Sequence, residues 1–227
     1  MKKIIIMLLA AVCLIPAAAQ RNTQSKAQVV FSKDNVLFLG PKLGATFTSM
    51  GQPNEVDLYD GSGFGFSAGA ALKARFGKSS RRGGAAGTGL FGLGLEAKYK
   101  QNKVKTIGSD PLSIGYLEIP VSAQVYPFYK STLMNTFYLE AGPSFALTMS
   151  KSPDVLTVAS ANIAYHTGDF KGGDLRLMLG LGYTIPDTSL DVNARYYLGT
   201  SDLAGNFNCK MNTLEVSLAW MFQIGKF

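Results

Sequence analysis

The chain is short of charge, cysteine, histidine and long apolar runs, and each shortage removes a class of protein. Charged residues make up 16%, against about 25% in an ordinary soluble domain. Much of its surface is therefore expected to face something other than water. Past residue 20 no stretch approaches the roughly 18 consecutive apolar residues of a membrane helix, so any crossing of a membrane must be made by strands. Two cysteines and one histidine leave little material for a disulfide framework or a metal centre. The surface charge is mixed and forms no basic run, so nothing argues for nucleic acid. What the chain does have is 25 glycines, 14 phenylalanines and 10 tyrosines in 227 residues. That length suits one domain.

Residues 1–19 read as a signal peptide. Lys2 and Lys3 make the basic start, Ile4 to Ile15 the apolar stretch, and Ala17, Ala18 and Ala19 the small-residue cleavage site. Cleavage near Ala19 removes Cys13 and takes the formal charge from +7 to +5. Cys209 is then the lone thiol, and no internal disulfide is open to the mature chain. Residues 20–35 are polar and mixed and read as a periplasmic tether, followed by one barrel domain over 36–227.

From about Val36 the sequence has period two, the mark of strands with one apolar face. Eight such segments are expected, near 36–49, 63–76, 89–100, 114–126, 137–149, 173–185, 189–199 and 212–222. Each is close to the 9–11 residues a tilted membrane strand needs. When each segment is phased by its apolar residues, its charges fall on the opposite face. That face collects Lys42, Lys73, Arg75, Glu96, Lys98, Lys100, Glu118, Glu140, Asp174, Arg176, Asp191, Arg195 and Glu215, set among Gly, Ser and Thr. A soluble sandwich would show many Lys and Glu and few Gly on its polar face. A lipocalin-like barrel would put the apolar face inside. Small residues with isolated charges suit a narrow lumen. The expected fold class is therefore all-β, an eight-stranded antiparallel up-and-down transmembrane β-barrel.

Aromatic residues gather at the segment ends, as the interface girdles of a spanning barrel require. Phe76, Phe91, Phe137, Tyr183, Trp220 and Phe222 fall toward one side, Phe47, Phe64 and Tyr99 toward the other. With the N-terminus periplasmic, external loops are expected near 50–62, 101–113, 150–172 and 200–211. Periplasmic turns are expected near 77–88, 127–136 and 186–188, the first carrying Lys78, Arg81 and Arg82.

Four runs carry a family resemblance: Tyr116-Leu117-Glu118-Ile119-Pro120-Val121, Phe137-Tyr138-Leu139-Glu140-Ala141-Gly142-Pro143, Leu179-Gly180-Leu181-Gly182-Tyr183 and Ala194-Arg195-Tyr196-Tyr197-Leu198-Gly199. Over about 36–227 the chain resembles the porin-family, PorT-like outer-membrane β-barrel proteins typical of Bacteroidota. The resemblance implies an OmpX-like barrel in the outer membrane of a Gram-negative cell and little about activity. "Porin" there labels a fold and is no evidence of a channel.

Two motifs invite chemistry. Gly87-Thr88-Gly89-Leu90-Phe91-Gly92 spells a dinucleotide fingerprint, but that fingerprint needs a following helix and here a period-two strand follows. His166 could serve a membrane-embedded lipid A hydrolase or acyltransferase, which would also need a nearby Ser and a carboxylate. No Ser is spaced to be its evident strand neighbour, and a solvated loop histidine is the favoured reading. Seven cations against six carboxylates on the lumen face favour a salt-bridged plug over an ion path, because an eight-stranded interior is only wide enough for side chains. The expectation is a non-enzymatic, monomeric barrel with a largely closed lumen and no catalytic, cofactor or metal residues. Its partners are outer-membrane lipid and a protein met at the external loops. A lipid hydrolase at His166 and a small-solute porin are the alternatives. The 150–172 loop draws attention because Val155, Leu156, Val158, Ile163, Tyr165 and Phe170 are more apolar than a solvated loop requires.

Overall fold

The computed structural model describes residues 34–51, 59–78, 86–107, 110–158, 163–200, 202 and 210–227. The segment expected to be a signal peptide, most of the expected tether, Arg81, Arg82 and Cys209 lie outside them. Among the described residues eleven strands follow in chain order: β1 (Val36–Met50), β2 (Tyr59–Arg75), β3 (Phe91–Thr106), β4 (Leu112–Val125), β5 (Phe137–Ser152), β6 (Val155–Val158), β7 (Ile163–His166), β8 (Gly173–Thr184), β9 (Leu190–Gly199), β10 (Met211–Trp220) and β11 (Phe222–Lys226).

Nine of these make one antiparallel sheet that closes on itself, because β1 pairs with β2 on one side and with β10 and β11 on the other. β10 and β11 are two parts of one barrel strand interrupted at Met221, so the wall has eight strands. Closure leaves no unpaired strand edge to meet hydrocarbon, which a sheet must achieve to span a bilayer. β6 and β7 form a separate two-stranded hairpin. The barrel has a turn end, where β2 gives way to β3, β4 to β5 and β8 to β9, and a loop end, where β1 gives way to β2, β3 to β4, β5 to β8 and β9 to β10.

Side chains alternate across the wall. Leu43, Phe64, Phe66, Leu93, Leu139, Phe145, Leu177, Leu179, Leu218 and Trp220 are exposed on the outer face, while Lys42, Glu96, Lys98, Glu118, Glu140, Arg195 and Glu215 are buried inside. Leu43 is 65% exposed while its neighbour Lys42 is 3% exposed. That order inverts the soluble rule of apolar inside and is the pattern of a lipid-facing barrel. Glycine lets the inner face accommodate its charges. A Cβ on Gly180 would lie 2.8 Å from Arg195 Cγ and 3.1 Å from Glu140 Oε1, against the ion pair those residues form.

Several strand bounds differ from those expected. β3 runs on to Thr106 and β4 begins at Leu112, so the connection expected at 101–113 shrinks to 107–111. β2 starts at Tyr59 with a register irregularity between Ser62 and Ser67, and β5 reaches Ser152. The cause is that the apolar phase reverses at the loop end. Val104, Leu112, Ile114 and Met211 are buried, with Val104 opposite Leu112 and Ile114 two residues further along the inner face. Beyond the bilayer the hairpins follow the soluble rule, and a search for outward apolar residues stops too early there. The last strand also outruns its expected end at Phe222: β11 pairs Val36 with Lys226. The 150–172 segment is partly structured, with β6–β7 followed by a 3-10 turn at Thr167–Asp169.

Candidate functional site

The inner wall carries the chain's concentration of charged chemistry. In its middle, Lys98 Nζ lies 2.7 Å from Glu215 Oε1 and donates to Tyr197 Oη at 2.8 Å. Lys100 Nζ lies 3.1 Å from Glu118 and 3.3 Å from Glu215, over the Tyr197 ring at 3.3 Å from its centroid. Arg195 joins two carboxylates: Nε and Nη2 donate to Glu140 at 2.5 and 3.0 Å, and Nη1 lies 2.7 Å from Glu96. Lys42 reaches Glu96 from the other side at 2.8 Å. Toward the loop end, Arg176 pairs with Asp174 at 2.7 Å, lies 3.6 Å from Glu118 and stacks over Tyr116. Toward the turn end, Lys73 pairs with Asp191 at 2.7 Å, and Asp191 also accepts from Thr184 and Tyr138.

These contacts run across the barrel as well as along it. Glu96 on β3 meets Arg195 on β9, and Lys98 on β3 meets Glu215 on β10. Taking each ion from water into this interior costs several kcal/mol unless pairing and hydrogen bonds offset it, and the partners above provide that offset. Hydroxyl and amide groups add to the shell, Ser67 donating to Glu215 and Gln124 to Glu140, while among the described residues Lys100 Nζ and both Glu118 oxygens are held by ion contacts without a hydrogen bond. Two cavities within this region, one beside Lys42, Glu96 and Arg195 and one beside Tyr116, Asp174 and Met211, are about 10 Å³ each, close to the least that holds a single water.

Arg75 is the lumen cation with no carboxylate partner among the described residues. It is 5% exposed. Its Nε donates to the Gly89 carbonyl at 3.2 Å, its Nη2 to the Asn135 carbonyl at 2.6 Å, and its guanidinium lies 3.7 Å from the Tyr126 ring centroid.

The aromatic residues at the strand ends sit in pairs: Phe47 with Phe64 at 5.5 Å and Trp220 stacked on Phe222 at 6.1 Å. Tyr99 lies 5.9 Å from Phe66, Phe137 5.8 Å from Phe128, and Phe76 6.3 Å from Phe227. Tyr183 donates its hydroxyl to the Leu133 carbonyl, and Phe91 is exposed on the outer face. Phe66, Phe128 and Phe227 were missed by sequence. The first lies inside its segment, and the other two lie in stretches without alternation. His166 is exposed, at the end of β7 opposite Val155, apart from the barrel sheet. The fingerprint-like run follows the isolated bridge Lys78↔Ala86 and passes through turn residues into strand β3, where a nucleotide site would require a helix.

A family model described as "Outer membrane protein beta-barrel domain" matches residues 19–205. The chain belongs to that family. Membership, with the closed wall and inverted burial above, implies the outer membrane of a Gram-negative cell. No curated protein matches the chain in sequence. Among solved structures this family member is similar to Neisserial surface protein A at 13% identity, over 82% of this chain and 97% of that one, with a TM-score of 0.44. It is similar to OprG from Pseudomonas aeruginosa at 13% identity over 82% and 96%, TM-score 0.44. A third is Ail of Yersinia pestis in complex with the heparin analogue sucrose octasulfate, at 11% identity over 82% and 99%, TM-score 0.43.

Proposed function

We propose that this outer-membrane barrel is a non-enzymatic scaffold with a closed lumen, acting through the segments it displays at its two ends. The observation that carries this reading is the pairing of the lumen charges. Lys42, Lys73, Lys98, Lys100, Arg176 and Arg195 each lie within 4 Å of a carboxylate, and pairs reaching across the barrel fill the space a solute would need. The barrel stands as a monomer with its turn end in the periplasm and its loop end outside, in the manner of PorT-like proteins. Its outward strand faces are committed to lipid, so recognition falls to the loops, where rigid scaffolds often carry it. His166 does no chemistry in this reading and is one surface residue of the β6–β7 hairpin.

Planar-bilayer recording on the purified chain tests the closed lumen. The expected trace is flat apart from small, rare flickers. A stable open level in the unmodified protein refutes the plug and restores the small-solute porin.

The hairpin has its own test. Thr167 Oγ1 donates to the Pro153 and Asp154 carbonyls, and Lys151 Nζ to that of Phe170, so it is tied at its base and does not share the barrel's ladder. Deleting about Asp154 to Thr167 should leave insertion and the heat-modifiable gel shift nearly unchanged. Cross-linking on intact cells should then lose partners. An unchanged partner set would move recognition away from this hairpin.

A further inference from the structure

Seven cations face six carboxylates on the inner wall, and among the described residues one cation has no carboxylate partner. Arg75 has its charge buried at the turn end, held by two carbonyls and an aromatic ring. Carbonyl dipoles orient a guanidinium without neutralising it, and two hydrogen bonds occupy two of its five N–H groups.

Beside Arg75 lies a cavity of about 100 Å³, several times the volume of the two cavities among the paired charges. Lys73, Tyr126, Thr136, Thr184 and Thr188 share its lining. Lys73 is already matched by Asp191, and Thr184 gives its proton to the same carboxylate at 2.6 Å. Thr136 is different: its Oγ1 is buried and has no hydrogen-bond partner among the described residues. A buried hydroxyl without a partner is destabilising, so an orphan hydroxyl and an unmatched guanidinium on one cavity together call for an acceptor. The net charge of Lys73, Arg75 and Asp191 is one positive, so the acceptor should be an anion.

We propose that this cavity binds a small oxyanion of the phosphate class, entering from the turn end. A tetrahedral oxyanion can accept from the N–H groups of Arg75 that the two carbonyls leave free and, once the Thr136 side chain turns its buried hydroxyl toward the cavity it lines, from Thr136 with another oxygen, and the planar guanidinium suits that geometry. The space exceeds the roughly 30 Å³ share of one water. The same group could arrive as free phosphate or as the phosphate of a lipid headgroup.

Calorimetry on the full chain, folded in a phosphate-free detergent, tests the site with inorganic phosphate and, separately, with glycerol 3-phosphate. Saturable binding is expected, with affinity falling about tenfold or more in Arg75→Gln and several-fold in Thr136→Val. Both variants are checked for the heat-modifiable gel shift. Should Arg75→Gln fail to fold, Thr136→Val carries the comparison, since it removes a hydroxyl and keeps the bulk. Tighter binding of inorganic phosphate would assign the site to the free ion, and tighter binding of glycerol 3-phosphate to a headgroup. No saturable binding of either by the unmodified chain would overturn the proposal, as would unchanged affinity in a folded Thr136→Val or Arg75→Gln.

Discussion

Glu215→Leu is expected to destabilise the folded barrel by about 3–5 kcal/mol, the range for removing one partner from a buried ion pair. Glu215 is 0% exposed and serves two ammonium groups: Lys98 at 2.7 Å and Lys100 at 3.3 Å. Lys100 keeps Glu118 when Glu215 is lost. Lys98 keeps its hydrogen bond to Tyr197, but its remaining carboxylates are more distant, 3.6 Å to Glu96 and 3.8 Å to Glu118. The loss is thus one of an unmatched buried cation, and it should be recoverable. Lys98→Met combined with Glu215→Leu removes both charges and should regain a large part of the stability, because apolar replacement of a whole pair is often neutral or better. Urea titration followed by the folded and unfolded bands of a heat-modifiability gel measures both variants. A double variant no more stable than Glu215→Leu alone would show that Lys98 does not depend on that carboxylate.

Leu179→Arg should cost about 2–4 kcal/mol, the value for a cation on the lipid face near the midplane. Leu179 lies mid-strand in β8, between Ala141 of β5 and Tyr196 of β9, and points outward. Leu179→Ile keeps the volume and apolar character and should cost under about 1.5 kcal/mol. Equal tolerance of Arg and Ile in the same titration would mean that this face does not meet hydrocarbon. Thr184, at the end of the same strand, is a poor comparison site, since its hydroxyl binds Asp191 and accepts from Lys73. An arginine there would disturb the Lys73–Asp191 pair.

The alternation of faces was legible in the sequence because a strand's period is two and a lipid-facing wall tolerates no charge on one side. Lys42 beside Leu43, or Glu118 beside Leu117, is enough to phase a whole strand. The pairing of the lumen charges was not legible. Glu96 and Arg195 lie almost a hundred residues apart and meet across the barrel's width, a contact fixed by strand stagger and tilt and written in no local pattern. The excess of one cation could be counted from sequence, but only the cross-barrel geometry identifies it as Arg75. The loop-end extension of β3 and β4 was hidden for a different reason. Val104, Leu112 and Ile114 follow the opposite burial rule from the membrane span, and the sequence does not mark where hydrocarbon ends.

The outer face of this barrel sits against lipid, and the single tryptophan gives a direct way to measure it. Trp220 lies on the outer face, 55% exposed and stacked on Phe222 at the turn end, where an interfacial girdle belongs. The decisive measurement is its fluorescence in bilayers containing lipids brominated at different acyl depths, with acrylamide as the aqueous quencher. The barrel described above predicts blue-shifted emission, stronger quenching by bromine near the headgroups than at mid-chain, and weak quenching by acrylamide. Water-like emission, open to acrylamide and indifferent to brominated lipid, would contradict it.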